Sequence, residues 1–312
     1  MLALLNIVLF VIGVLLAVWA TERLLEGLVG LSLALHFSAF AVGALLSGFE
    51  AENVAVGLAA GGAGAASVAL GTVFGGAIFL VCVALGLSSL FFPLKVSLPR
   101  SILLLFAACP LLPELVLLGP EMSRWSGAVL LLAFLAAMAY LIHVSRTQNF
   151  IDADEVEEAQ EKQRPLWLAL VLTLVGIVVI SVGGEMVARG AEGIIASLGV
   201  PALFMGMIVA PAAIELEEVI RQAVPTRKGR PDVSAGNLVG TLLYFLLFNL
   251  GLIALLTPLK VAPLVRELDW PFLMLVTWLA TAFLWRGRVG RVAGASLLAA
   301  YAAYIVLHLV LH

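Results

Sequence analysis

Ten apolar stretches, each long enough to cross a lipid bilayer, constrain this chain more than any other feature of its sequence. A membrane-spanning helix needs about 20 mostly apolar residues. Hydrophobic residues make up 63% of the chain and charged residues 12%, against about 45–50% and 25% in soluble domains. We therefore predict an all-α integral membrane protein, and exclude a disordered chain, a secreted disulfide scaffold and a basic nucleic-acid-binding protein. The ten predicted spans cover residues 2–20, 37–60, 67–90, 100–119, 125–144, 166–184, 201–224, 233–256, 270–286 and 291–311.

The basic residues indicate how these spans are oriented. With ten spans, 13 of the 17 Lys and Arg residues, Arg221 among them, fall on the side of the odd-numbered loops. Cytoplasmic loops are enriched in Lys and Arg, so we expect both termini to be extracytoplasmic, in the cell (plasma) membrane. The opposite side holds the other four, Arg124, Arg189, Lys260 and Arg266.

The chain contains an internal repeat at an offset of 165 residues. This shift places Glu50 on Glu215 and Glu52 on Glu217, and it also matches glycine pairs. The same offset superposes Pro-Leu-Lys-Val at 93–96 on the identical sequence at 258–261. Chance matches between apolar residues are common in such a sequence, but paired glutamates, paired glycines and a four-residue identity at one offset indicate duplication.

Each half of the repeat holds five predicted spans, which is an odd number. The second half is therefore expected to lie inverted in the membrane relative to the first. We predict a first five-helix repeat at 1–144, an acidic cytoplasmic linker at 145–165, and a second, inverted five-helix repeat at 166–312. Inverted repeats are a common construction of secondary transporters, whose binding site lies near the membrane midplane.

A cluster of acidic residues lies inside the repeated spans two and seven. Ionised carboxylates in a membrane normally face a cavity, bind a cation or hold a proton. Residues three apart share a helix face, which groups Glu50 with Asn53 and Glu215 with Glu218. Oxygen ligands of this kind suit Ca²⁺. The alternative is that some of the glutamates are neutral or paired with Arg221. The candidate acids are Glu50, Glu52, Glu215, Glu217 and Glu218.

A second repeated element begins spans three and eight. It reads Gly-Thr-Val-Phe-Gly-Gly at 71–76 and Gly-Asn-Leu-Val-Gly-Thr at 236–241. Glycines four residues apart let membrane helices approach closely, and packing is the simplest interpretation of these glycines. Asn237 and Thr241 could also present oxygen atoms to a bound cation.

These residues resemble the calcium:cation antiporter superfamily, particularly its sodium/calcium exchanger branch. The resemblance implies ten spans, two inverted five-helix repeats and external termini. It also implies a Gly-Thr-Ser-x-Pro-Glu motif and a following Gly-Asn-x-x-Gly-Ser-Asn motif in the repeats. The second motif matches residues 236–241, with Thr241 in place of its serine. Counting back by the spacing of the family places its essential glutamate on Glu218 in the second half and on Asn53 in the first.

The chain departs from the family pattern at several ligand positions. The serine of the first motif corresponds to Glu50 and Glu215, and its proline corresponds to Glu52 and Glu217. One essential glutamate is thus an amide, while carboxylates replace both serines. These departures argue against an unchanged site for three sodium ions and one calcium ion, and favour a relocated site built on Glu50 and Glu215.

We therefore expect a secondary cation antiporter that works by alternating access and exchanges a divalent cation, with Ca²⁺ favoured, for Na⁺ or H⁺. We expect no enzymatic activity and no permanently bound cofactor. The expected partners are inorganic cations and the lipid bilayer, without nucleic acid, and the sequence is compatible with a monomer. The predicted cation ligands are Glu50, Glu52, Asn53, Glu215, Glu217, Glu218, Asn237 and Thr241.

Two alternatives remain open at this stage. A degenerate family member that no longer transports could serve as a membrane sensor or assembly partner. An intramembrane glutamate protease is suggested by the Glu-Glu-x-x-Arg sequence at 217–221. That sequence is one residue shorter than the Glu-Glu-x-x-x-Arg signature of the prenyl-protein proteases.

Overall fold

A computed structural model describes residues 2–35, 43–44, 53, 58, 66–116, 121–147, 165–197 and 215–311. Helices dominate this part of the chain, and four two-residue strands connect them. The α-helices are α1 (Leu2–Leu35), α2 (Ala66–Phe79), α3 (Leu85–Phe91), α4 (Arg100–Ala108), α5 (Leu111–Val116), α6 (Arg124–Thr147), α7 (Leu166–Ser197), α8 (Leu216–Arg227), α9 (Pro231–Leu243), α10 (Leu250–Leu256), α11 (Trp270–Trp285) and α12 (Arg291–Leu311). The strands are β1 (Leu94–Lys95), β2 (Glu121–Met122), β3 (Leu259–Lys260) and β4 (Arg288–Val289).

Several helices have the length and composition of membrane spans. Within the described residues, five are long and apolar enough to cross a bilayer: Ala69–Phe91, Arg124–Val144, Pro231–Leu256, Val265–Trp285 and Arg291–Leu311. They coincide with predicted spans three, five, eight, nine and ten, so the prediction of apolar helices of membrane-spanning length is confirmed for these five. Most of predicted span two lies outside the described residues.

The first helix of each half is longer than its predicted span. The sequence predicts spans at 2–20 and 166–184, whereas α1 and α7 continue to Leu35 and Ser197. Ion pairs between neighbouring turns neutralise the polar ends, as in α1, where Arg23 Nη1 lies 3.1 Å from Glu26 Oε1.

The predicted fourth span, 100–119, is two short helices rather than one. Helix α4 ends at Ala108 and α5 begins at Leu111. Pro110 lies between them, and a proline has no N–H to continue the helical hydrogen bonds. The indole Nε1 of Trp270 donates to the carbonyl oxygen of Pro110 at 2.6 Å, which holds this break against the start of α11.

The order of elements recurs at the offset of the sequence repeat. Helices α2 and α3 flank a π-helical stretch at Leu80–Ala84, and α9 and α10 flank another at Tyr244–Asn249. Such π-helical insertions are rare and occur often at functional sites. The buried core runs through these segments and includes large side chains of both halves, such as Phe74 and Phe245.

The two halves are packed together at both ends of this core. Strand β1 of the first half pairs with β4 of the second, and β2 pairs with β3. Helix α3 likewise packs on α12, and α10 packs on α6. These four elements of one half thus contact non-equivalent elements of the other, whereas the equivalent helices α1 and α7 pack on each other. Neither half therefore forms its core alone.

Candidate functional site

The acidic segment of the second half forms the beginning of α8. Glu215 is the N-cap residue, and Glu217 and Glu218 lie in the first turn. All three residues are buried, with 1%, 1% and 0% of their surface exposed. The N-terminus of a helix carries a partial positive charge, which favours carboxylates at these positions. The earlier part of this predicted span, residues 201–214, lies outside the described residues.

A hydrogen bond between the two halves fixes one of these carboxylates. Asn53 Nδ2 donates to Glu215 Oε1 at 2.7 Å, and both side chains are buried. The Glu215 carboxylate also lies against Gly76, where an added Cβ would be 3.1 Å from Oε1 and 3.0 Å from the ring of Phe245. The glycine thus leaves the space that the carboxylate occupies. Two of the predicted ligands, Asn53 and Glu215, are brought together across 162 residues of chain.

Arg221 binds the other two carboxylates of the segment. Its Nη1 donates to Glu218 Oε1 at 2.8 Å, and its Nη2 donates to Glu217 Oε1. The arginine side chain is 6% exposed and the two glutamate side chains are 1% and 0% exposed. The sequence-based count placed Arg221 among the cytoplasmic loop charges, which is wrong. Its guanidinium reaches back over one helical turn because residues three and four apart share a face.

Glu218 is held from a second direction by α9. Asn237 Nδ2 donates to Glu218 Oε2 at 2.7 Å. With the side-chain amide of Gln222 oriented to satisfy its neighbours, its oxygen accepts from Asn237 Nδ2 at 3.0 Å and from the backbone N–H of Leu238 at 3.2 Å. Both oxygens of the Glu218 carboxylate therefore accept hydrogen bonds from nitrogen donors. A cation that binds these oxygens therefore competes with both donors.

Sequence reasoning missed Gln222 at this site. Its position could have indicated it, because Gln222 follows Glu218 by four residues and the two therefore share one face of α8. The side chain orients Asn237 and so acts on the carboxylate indirectly.

The second repeated element serves helix packing and also presents a hydroxyl. An added Cβ at Gly240 would lie 2.2 Å from the backbone oxygen of Ala44, so the glycine allows a very close backbone approach. The neighbouring Thr241 is buried, and its hydroxyl has no hydrogen-bond partner within the described part of the chain. The packing interpretation is confirmed for Gly240.

The remaining predicted ligands, Glu50 and Glu52, lie outside the described residues. No three His, Cys, Asp or Glu side chains of the described residues converge in a way that could hold a metal ion. The described part of the candidate site consists of Asn53, Glu215 and the group formed by Glu217, Glu218, Arg221 and Asn237.

A second buried polar group lies between α11 and α12. Asp269 Oδ1 accepts from the Tyr304 hydroxyl at 2.7 Å and lies 2.7 Å from His308 Nε2. All three residues are at most 5% exposed. Sequence reasoning assigned no role to Asp269 and did not foresee this group, because its members are 35 and 39 residues apart.

The chain matches a family model described as sodium/calcium exchanger protein over residues 5–143 and 168–310. It is 25% identical over 180 residues to the inner membrane protein YrbG of Escherichia coli (strain K12), covering 55% of this chain and 54% of YrbG. It is 29% identical over 140 residues to the protein named "Putative antiporter CaxA" of Alkalimonas amylolytica, covering 45% of this chain and 44% of that protein. The chain thus spans about half the length of these curated relatives.

Solved structures of the sodium-calcium exchanger NCX_Mj have a similar fold. One, soaked with 100 mM Na⁺ and 10 mM Sr²⁺, gives a TM-score of 0.82 at 19% identity and covers 97% of this chain and 98% of that chain. Another, soaked with zero Na⁺ and Ca²⁺, gives the same TM-score, identity and coverage. At this identity the similarity concerns the fold alone.

Proposed function

The chain belongs to the sodium/calcium exchanger protein family, and from this premise we propose that it is a secondary active antiporter of cations. We propose further that it exchanges a divalent cation, with Ca²⁺ as the first candidate, for Na⁺ or H⁺ by alternating access. The family is one of exchangers rather than enzymes, and the proposed activity requires only binding and reorientation of the protein.

The bond between Asn53 and Glu215 is the observation that carries this proposal. This hydrogen bond links the first half to the second, because Nδ2 of Asn53 lies 2.7 Å from the buried carboxylate oxygen Oε1 of Glu215. Buried ionisable groups in membrane segments are expensive and usually belong to ion pathways. A carboxylate at the junction of two repeats is placed where secondary transporters bind their substrates.

We propose Glu50 and Glu215 as the main ligands, with Asn53 and Thr241 as neutral ones. The offset of 165 residues relates Glu215 to Glu50 and Gly76 to Thr241. Because Gly76 lies against Glu215, we propose Thr241 as the hydroxyl that accompanies Glu50. Either cation type must neutralise these carboxylates before the site can reorient, so that the two types compete and exchange.

The pairing of strands supports an inverted arrangement of ten spans. Strands β3 and β4 lie at opposite ends of α11, which is long enough to cross the membrane. Strand β1 pairs with β4, although its repeat equivalent is β3. The equivalent strands β1 and β3 thus lie at opposite ends of α11, which supports an inverted repeat. We also propose the predicted division at the acidic linker 145–165, a plasma-membrane location with external termini, and a monomer.

Flux measurements in liposomes would test the proposed function. Purified protein is reconstituted, and uptake of Ca²⁺, Mn²⁺ and Mg²⁺ is recorded under an imposed Na⁺ gradient and then a pH gradient. We expect uptake to follow one of the two gradients and to be lost in a Glu50→Gln, Glu215→Gln double variant, because the cation loses both main carboxylates.

Glu185→Gln provides the matched control. Glu185 is 49% exposed and pairs with Arg189 on the surface of α7, so its loss leaves uptake unchanged. No uptake under any gradient, combined with no thermal stabilisation by the three cations, would refute antiport and support a member that no longer transports. The ion pairs of Arg221 favour that second candidate, since they occupy two of the predicted ligands.

A further inference from the structure

Arg221 is a buried cation inside the candidate cation site. It is 5% exposed and lies with Glu217 and Glu218 at the beginning of α8. A buried guanidinium is costly unless it is paired with acids and hydrogen-bonded. Here it contributes N–H donors to two carboxylates, so its own charge compensates part of the negative charge of the site.

The repeat shows that this arginine accompanies an additional acid. At an offset of 165 residues, Glu218 corresponds to Asn53 and Arg221 corresponds to Val56. The second half therefore has one more negative and one more positive group than the first half. The formal charge is −2 in both acidic segments: Glu50 and Glu52 in one, and three glutamates with Arg221 in the other.

We propose that Arg221 competes with the transported cation from within the protein. Its guanidinium occupies Glu217 and Glu218 and so excludes the cation from these two carboxylates. This inference rests on the proposed cation exchange. Glu218 Oε1 accepts from Arg221 Nη1 at 2.8 Å, and Oε2 accepts from Asn237 at 2.7 Å. A cation that binds Glu218 meets the positive guanidinium on the same carboxylate, and the cost of repelling or displacing it lowers the measured affinity.

The competition also affects how strictly transport is coupled. A site whose carboxylates are neutralised by a resident arginine can reorient while fewer cations are bound. Without Arg221, the negative charges of Glu217 and Glu218 can be neutralised only by transported cations. We therefore expect the variant to bind cations more tightly and to lose any efflux that proceeds without a counter-cation on the opposite side.

A substitution series at position 221 tests the competition. The Kd for Ca²⁺ and for Mn²⁺ is measured by titration calorimetry on purified wild type, Arg221→Lys and Arg221→Gln. We expect the Kd of Arg221→Gln to fall by about tenfold or more, because a unit charge next to the site is removed from a low-dielectric environment. Arg221→Lys should lie between the two, since a point charge cannot bind two carboxylates in the bidentate manner of a guanidinium.

Added guanidinium ion separates competition from a structural role. In Arg221→Gln, guanidinium chloride at millimolar, non-denaturing concentration should raise the apparent Kd in proportion to its concentration. In wild type it should have no such effect. Arg189→Gln, which removes a guanidinium that is 71% exposed and paired with Glu185, is the matched control and should leave the Kd unchanged.

The outcomes distinguish this inference from the proposed function. An unchanged or higher Kd in Arg221→Gln, with wild-type flux that depends on Glu215, overturns the inference and leaves antiport standing. Absence of cation binding in wild type and in all variants overturns both. If Arg221→Gln does not fold, Arg221→Lys decides the question, and an unchanged or higher Kd in that variant overturns the inference.

Discussion

Replacing Asn53 by Asp changes the contact between the two halves from attraction to repulsion. The donor Nδ2 lies 2.7 Å from Glu215 Oε1, and Asn53→Asp puts an oxygen at this distance. The lost hydrogen bond to a charged group is worth about 1.5–3 kcal/mol. Two carboxylates about 4 Å apart repel by about 4 kcal/mol at an effective dielectric constant of about 20. We expect a net destabilisation of about 6 kcal/mol.

This destabilisation should be visible in thermal unfolding of the detergent-solubilised protein at pH 8 in the presence of a chelator. At about 2 °C per kcal/mol, the Tm of Asn53→Asp should fall by roughly 12 °C. Millimolar Ca²⁺ or Mn²⁺ should recover most of the loss, because a divalent cation can bind both carboxylates.

The same substitution in the predicted cytoplasmic linker, Asn149→Asp, is the control for a change of net charge and should shift the Tm by no more than about 1 °C. An unchanged Tm of Asn53→Asp in chelator would refute the reasoning, since it would mean that the side chain does not face Glu215. A lowered Tm that no divalent cation restores would mean that the two carboxylates cannot share a bound ion.

Two other contacts make measurable predictions. Gly240→Ala should prevent correct folding, because its Cβ would lie 2.2 Å from the backbone oxygen of Ala44. Gly71→Ala should fold normally, because no atom of the described residues lies within 4 Å of the added Cβ, and size-exclusion profiles of the two purified variants compare them directly. Tyr304→Phe removes the 2.7 Å hydrogen bond to Asp269 and should cost about 1–3 kcal/mol, measured as a lower Tm; an unchanged Tm would mean that the buried carboxylate does not depend on this hydroxyl.

Much of the fold follows from local sequence. Apolar runs of about 20 residues are helices in a bilayer because the backbone must satisfy its hydrogen bonds within the segment. Five such runs are helices with the expected bounds, give or take a few residues. The break at Pro110 was not predicted, although proline lacks the donor that a continuous helix needs. The surrounding residues were apolar enough to suggest one span.

The sequence alone also determined which side chains to suspect, because the repeat aligns Glu50 with Glu215 and predicts equivalent depths for the acids of both halves. The partner of each acid depended on tertiary structure. Arg221 was one alternative partner, since residues three and four apart share a helix face. The packing around Arg221 decides whether its side chain folds back onto these glutamates or extends away from them. The pairing of Asn53 with Glu215, and of Asp269 with Tyr304, required chain segments far apart in sequence to meet. Local periodicity carries no information on such contacts, because they depend on how the two halves pack.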